Sequence, residues 1–414
     1  MNQHAEALVI GEAPGEQEEK HGRPFVGPSG SEFDRSLRAA GKHRGKVSLT
    51  NAILCRPPEN DLKKFLDVQR RSAKLLGTKA KSPVECCKPR LDREIAKFDN
   101  LIPLGKTAYR SVTSTSSSIL SVRGSELTIK FVPDGKIKQV MPSLHPSFVM
   151  RQRRWSHVFR NDITKAFRIF EGRGGWVEPG VVYNPEPAEL AKFLSDTSKI
   201  YTYDIETDGI ECLTANIRCI AIGDEQNVMV VGFRSNCTGR HIPGLFVDWY
   251  DTPLESIAML GVLTDFFGNP EIIKAGHNSG YYDRTVIRQR LGCDVKPNID
   301  TMIAHRSVES ELPHSLGYVA SLYTDAPSWK TDREGNKLAL GGENDEELHL
   351  YCARDVVITA RVMPPLADQV ALRDQTSVYR MDMKMQEICM DMHIAGMYVD
   401  QTERLKREKQ LFRM

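Results

Sequence analysis

At 414 residues with 40% hydrophobic content, the chain is long enough for about three domains with cores of their own, and nothing in it reads as globally disordered. No basic-then-apolar leader opens it and no window approaches the ~20 apolar residues of a membrane helix, so a soluble, cytoplasmic protein is expected. Residues 1–172 hold 31 Lys and Arg against 18 Asp and Glu, while the remainder holds 25 against 36, a division hidden by the net charge of +2. A basic third beside an acidic remainder points to one part that grips phosphate and another that collects carboxylates, a metal site among its uses. The nine cysteines lack a small-domain framework and read as reduced thiols.

In chain order, EALVIG (6–11) predicts a buried strand ending in a glycine turn, followed by a helix from about Ser29 to Ala40. VSLTNAIL (47–54) predicts a second strand, 61–81 a basic helix, 86–98 another helix and NLIPLG a third strand. QVMPSLHPS ends a further strand, and 157–170 has the amphipathic period of a helix. This alternation predicts a layered α/β domain over 1–172, closed by a Gly/Pro-rich linker at 173–182. A second domain, 183–368, opens with PAELAKFLSD and the strand IYTYDIET. RCIAIGDEQNVMVVGF then alternates like an antiparallel hairpin, and helices are expected at 254–267, 282–291, 301–311, 314–322 and 346–368. From Thr376 a Met-rich helix follows, its methionine face read as core packing. Because the chain stops at Met414 within a charged helical stretch, 369–414 is expected to be the start of a further, truncated domain.

The second domain carries the more specific chemistry. Asp204 and Glu206 alternate on a strand, so both carboxylates leave one face. HNSGYYD places Asn278 and Asp283 where a strand meets a helix, and YCARD places Tyr351 and Asp355 one helical turn apart. Several carboxylates and a phenol form the kit for two-metal phosphodiester cleavage, in which Mg²⁺ or Mn²⁺ activates water and stabilises the leaving oxygen. Their order and context resemble the 3′–5′ proofreading exonuclease domain of family A DNA polymerases, in its tyrosine-bearing subclass. NIDTMIAHRSV and ELPHSLGYVASLY extend the likeness, and APSWK is similar to phage versions. The resemblance implies a ribonuclease H-like mixed sheet. It assigns Asp204, Glu206, Asp283 and Asp355 as metal ligands and Tyr351 as the water-orienting group. Asn278 is a weaker, substrate-binding candidate; for it and Asp300, capping or packing fits equally well. His314 reads as structural.

In the first domain, GEAPGEQEEKHGRPFVGPSG (11–30), TNAILCRPPEN (50–60) and LHPSFVMR (144–151) resemble the motifs of family 4 uracil-DNA glycosylases. That likeness implies a three-layer α/β/α sandwich that flips a base into a pocket. By it, Phe25 stacks on the base, Asn51 reads its edge, and His145 donates to the oxyanion forming on uracil O2. Glu12, with the backbone from Ala13 to Gly15, positions water or stabilises the sugar cation. Arg151 and the basic helix 61–81 meet phosphates. The family holds an iron–sulfur cluster on four cysteines. Here Cys55 and one of Cys86 and Cys87 match two ligands but no N-terminal CxxC is present, so buried free thiols are expected instead of a cluster. MQEICMDMHIAGMYVD resembles the first helix of a family A polymerase domain, whose palm motifs are absent, so no polymerisation is expected from this chain alone. The expected partner is DNA: single-stranded or frayed 3′ ends, uracil-containing DNA, and replication proteins. A non-catalytic module that binds DNA or uracil is the alternative for the first domain.

Overall fold

The computed structural model describes residues 4–75, 81–233, 253–296, 298–329 and 345–411. They form two compact α/β units, one from Met1–Glu178 with Glu309–Ala339 and the other from Pro179–Val308 with Leu340–Met414. Among the described residues no helix is long and apolar enough to cross a membrane.

The first unit holds a five-stranded sheet of β1 (Ala7–Gly11), β2 (Val47–Asn51), β3 (Asn100–Pro103), β4 (Leu127–Lys130) and β5 (Ile137–Val140), in the order β2-β1-β3-β5-β4. All neighbours are parallel except β4 and β5. The central strand β1 is buried along its whole length, as a parallel strand covered on both faces must be. Leu8 and Ile10 pack on one face with Leu91, Ile95, Ala108 and Val112 from the helices Pro83–Ile95 and Lys106–Thr113. The first of these helices starts on a capping box: the Ser82 hydroxyl accepts from Glu85 N–H at 3.2 Å, and Ser82 N–H donates to the Glu85 carboxylate at 2.6 Å.

A buried ion pair ties this unit together. Arg123, just after the helix Ile119–Val122, and Asp162, on the helix Ser156–Phe170, have side chains 0% and 1% exposed. Arg123 Nε donates to Asp162 at 2.9 Å, Ser143 Oγ donates to the same carboxylate at 2.6 Å, and Arg123 Nη1 reaches Ser321 Oγ at 2.8 Å. Lys165 on the same helix donates to the carbonyls of Gly124 (2.7 Å) and Ser321 (3.2 Å), and Arg168 pairs with Asp325 at 2.8 Å. Through these contacts the 309–329 stretch of the expected second domain packs into the first unit.

The second unit holds β6 (Gly180–Tyr183), β7 (Ile200–Thr207), β8 (Ile217–Gly223), β9 (Asn227–Gly232), β10 (Ile273–Gly276) and β11 (Asn298–Asp300), ordered β11-β10-β7-β8-β9-β6. The hairpin strands β7, β8 and β9 pair antiparallel; β11 and β10 run parallel to β7, and β6 runs parallel to β9. Along β7, Tyr201, Tyr203 and Ile205 enter the core with Met259, Leu263 and Phe267 of the helix Pro253–Gly268. Thr202 on the other face donates to Val356 O at 3.0 Å, binding β7 to the 28-residue helix Asp345–Leu372.

The α/β layering, the hairpin and most helices appear where the sequence places them. Four details differ. The expected linker ends inside β6, whose Gly180–Tyr183 backbone pairs with the otherwise free edge of β9. The expected glycine turn after β1 holds the short helix Glu16–His21. The basic helix runs Leu62–Leu75, with part of its expected extension, 76–80, outside the described residues. The methionine face of the helix Thr376–Ala395 is not core: Met381, Met385 and Met392 are exposed and only Met390 is buried. That helix docks instead through a stripe that includes Tyr379, Gln386, Met390 and His393.

Removing Asp162 alone strands a buried guanidinium, so Asp162→Ala costs about 3–5 kcal/mol of stability. Urea unfolding measures it, and the double variant Arg123→Met/Asp162→Leu is expected to lose less than the single one.

Candidate active sites

In the first unit, three sequence-distant segments meet at the carboxyl ends of parallel strands. Gly11 and Asn51 are opposite each other at the ends of β1 and β2. An isolated bridge between Leu104 and Ser143 brings the segments after β3 and β5 alongside. They enclose a cavity of about 280 Å³ lined by all seven residues assigned to it from sequence: Glu12, Ala13, Gly15, Phe25, Asn51, His145 and Arg151.

Each side chain is held by its backbone context. A Cβ on Gly11 would lie 2.3 Å from Asn51 Oδ1 and 2.8 Å from the Phe25 ring, so only glycine lets these two groups share the cavity wall. Phe25 adopts φ 56°, a left-handed conformation costly for an aromatic residue. Arg44 donates to its carbonyl while the ring rests on Phe33 at 5.5 Å, which fixes that conformation. The Asn51 carbonyl accepts from Arg90 Nη2 at 2.6 Å. Glu12 accepts from the Thr107 hydroxyl at 2.6 Å.

His145 caps the helix Pro146–Arg151. Its Nδ1 accepts from Ser147 N–H at 3.2 Å and lies 2.8 Å from Ser147 Oγ. A backbone N–H can only donate, so Nδ1 is unprotonated and Nε2 carries the hydrogen of the neutral ring. Burial, reinforced by Arg151 and opposed by Glu12 and Glu18, holds the imidazole pKa below its ordinary value, which favours that neutral form. The ring is therefore a hydrogen-bond donor at Nε2.

Glu18 and Ser147 are among the lining residues that escaped the sequence reading. Glu18 accepts from the N–H groups of Gly15 (3.1 Å), Val26 (3.2 Å) and Gly27 (3.1 Å), tying the loop that carries Phe25. Its position three residues after a helix-capping Gly15 is the capping-box offset and was the available signal. Ser147, the imidazole's partner, had only its place in HPS to mark it.

Cys55, Cys86 and Cys87 are free thiols, but the expectation that they are buried fails: Cys55 and Cys86 are exposed. Cys86 lies off the buried Pro83–Leu91–Ile95 stripe of its helix. Among the described residues of this unit these thiols do not make up a four-thiolate cluster site.

In the second unit, β7 carries Asp204 and Glu206 opposite Ala221 and Cys219, and the register shifts directly after Glu206, a bulge that ends regular pairing there. The Cys352 thiol reaches the Asp204 carbonyl and carboxylate at 3.5 Å each, which joins the strand to the helix bearing Tyr351 and Asp355. Asp283 lies in the first turn of the helix Tyr282–Leu291 and is 8% exposed. Burial first, then the charges of Glu206, Asp300 and Asp355, push its carboxyl well above the ordinary range. Glu206, Asp283 and Asp355 are thus electrostatic neighbours, and Asp204 and Glu206 together act on the Cys352 thiol. Tyr351 is half-buried one turn before Asp355. A buried carboxylate group destabilised by its own kind fits a divalent cation, whose charge reverses that penalty.

Asp300 has a structural task. Its carboxylate accepts from the N–H groups of Asn278 (3.0 Å), Gly280 (3.3 Å), Met302 (2.9 Å) and Ile303 (3.3 Å), capping one helix and shaping the turn before Asp283. Asn278 lies in that turn at φ 61°.

Because the folded-state pKa of Asp283 is raised, its ionisation costs stability, and the metal-free fold weakens as pH rises from the ordinary carboxyl range through that raised value. Asp283→Asn in EDTA at neutral pH is expected to melt higher, by about 2–4 °C for each kcal/mol relieved. The gain should vanish under strongly acidic conditions in a thermal melt.

The uracil DNA glycosylase superfamily profile matches residues 1–168, and the 3′-5′ exonuclease profile matches residues 183–371. The type-4 uracil-DNA glycosylase of Thermotoga maritima is 32% identical over 170 residues, covering 40% of this chain and 79% of that protein. That of Sulfurisphaera tokodaii is 30% identical over 171 residues, covering 39% of this chain and 68% of that protein. Among solved structures, Brucella melitensis NrnC is 15% identical with a TM-score of 0.40, covering 52% of this chain and 94% of NrnC. The chain therefore belongs to the uracil-DNA glycosylase superfamily through its first unit, and carries a 3′–5′ exonuclease domain behind it.

Proposed function

We propose that this chain is a DNA-maintenance hydrolase that excises uracil with its first unit and trims 3′ ends with its second, as the editing portion of a family A DNA polymerase. The observation that carries the first activity is the convergence of Phe25, Asn51, His145 and Glu12 on one cavity, with the imidazole held as a neutral Nε2 donor. In that cavity the Phe25 ring stacks on a flipped base and the Asn51 amide pairs with its edge. His145 Nε2–H donates to uracil O2 as the glycosidic bond breaks and negative charge moves onto the base. Glu12, oriented by Thr107, steadies the sugar cation or the water that attacks it. Arg151, exposed at the cavity rim, meets phosphate.

For the second activity, the supporting observation is Asp283, buried among like charges. Asp204, Glu206, Asp283 and Asp355 would hold divalent cations. When bound, such ions supply a more acidic water and offset the charge on the leaving oxygen. Tyr351 orients the attacking water, and Asn278 lies in the turn before Asp283, where the terminal nucleotide would enter. The tyrosine and the acidic set in this order favour frayed or single-stranded DNA 3′ ends as substrate.

The direct test mixes the full chain and Mg²⁺ with a labelled single strand. Mononucleotide release is expected and should be abolished in Asp204→Ala; unchanged release in that variant would overturn the nuclease assignment. On uracil-containing DNA, alkali should reveal strand breaks at abasic sites. His145→Gln is expected to lower their rate by about 10²–10³-fold, the usual effect of removing an oxyanion donor. Tight uracil-dependent binding without breaks would instead identify a non-catalytic uracil-binding module.

A further inference from the structure

A second donor cluster lies in the exonuclease unit, made by residues that neither activity uses. Glu211 and Cys212 sit in the loop between β7 and β8, and His393 sits near the end of the helix Thr376–Ala395. Cys212 Sγ is 3.5 Å from His393 Nε2 and 4.0 Å from Glu211 Oε1, and those two atoms are themselves 4.0 Å apart. In a tetrahedral zinc site with Zn–S of about 2.3 Å and Zn–N of about 2.0 Å, sulfur and nitrogen stand ~3.5 Å apart. The carboxylate, on an exposed side chain, needs only a small rotation to close the triangle. The thiol is buried, and the Tyr281 ring meets the imidazole edge-on at 5.3 Å, which limits its rotation.

We propose that Glu211, Cys212 and His393 form a structural zinc site that pins the helix Thr376–Ala395 to the exonuclease sheet. A soft thiolate beside an imidazole selects zinc over magnesium, which distinguishes this site from the all-oxygen set around Asp283. Zinc displaces the Cys212 thiol proton to solvent and takes the thiolate, the imidazole nitrogen and the carboxylate as ligands, with water in fourth place. The pinned helix also bears Tyr379, whose hydroxyl accepts from Asp300 N–H at 3.3 Å, and Gln386, whose amide donates to the Asp300 carboxylate at 3.3 Å. Zinc thus reinforces the turn that presents Asp283.

The test strips the full chain with EDTA and titrates it with Co²⁺, following thiolate-to-cobalt charge transfer in the near ultraviolet, a signal that carboxylate sites do not give. One equivalent of Co²⁺ should raise the band, one equivalent of Zn²⁺ should erase it, and Cys212→Ser and His393→Gln should each abolish it. Cys55→Ser should leave it intact. If Cys212→Ser does not fold by circular dichroism, His393→Gln, altered on a partly exposed helix face, decides the matter. Absence of the band in the unsubstituted chain, or its persistence in a folded His393→Gln or Cys212→Ser variant, would overturn the proposal.

Discussion

Parallel strand pairing is the constraint from which both sites follow. β1 runs parallel to β2 and β3 in one unit, and β10 runs parallel to β7 and β11 in the other. Parallel neighbours end on the same edge, and the backbone leaving that edge has no ladder partner, so loops and helix starts gather there. Gly11, Asn51 and, through the Leu104–Ser143 bridge, His145 collect at one such edge. The turn before Asp283 and the cap at Asp300 collect at the other. Two different chemistries use one backbone solution.

The two edges differ in their electrostatics. The cavity of the first unit disfavours the charged form of its key ring: burial and Arg151 lower the imidazole pKa, while Glu12 and Glu18 pull the other way. A neutral donor suits a reaction in which charge develops on the substrate. The second unit crowds carboxylates until ionisation of Asp283 becomes costly, which suits a site completed by cations. The charge division of the sequence anticipates this contrast, since the basic third forms most of the first unit and the acidic remainder supplies the carboxylates.

Neither site stands on its contacting residues alone. Arg90 holds the Asn51 carbonyl, Glu18 ties the Phe25 loop, and the Ser147 N–H sets the tautomer of His145. Asp300 does the same for the exonuclease turn while the helix Thr376–Ala395 braces it through Tyr379 and Gln386. The docked stripe of that helix mixes Tyr379, Gln386 and His393 with the buried Met390, while Met381, Met385 and Met392 are exposed.

What the sequence determined by itself is local. Alternation placed Asp204 and Glu206 on one face of a strand, helical spacing placed Tyr351 and Asp355 one turn apart, and three motifs supplied every residue assigned to the first cavity. Such patterns are legible because strand and helix periods fix direction over a few residues. Only the tertiary structure decided what depends on groups far apart in the chain. It drew the 309–329 stretch into the first unit through Arg123, Lys165 and Arg168, exposed thiols expected to be buried, and turned the methionine face outward. It also brought Cys212 within 3.5 Å of His393, a juxtaposition of residues 181 positions apart that no spacing rule contains. Burial and long-range charge are properties of the packed chain, and a single sequence carries no measure of them.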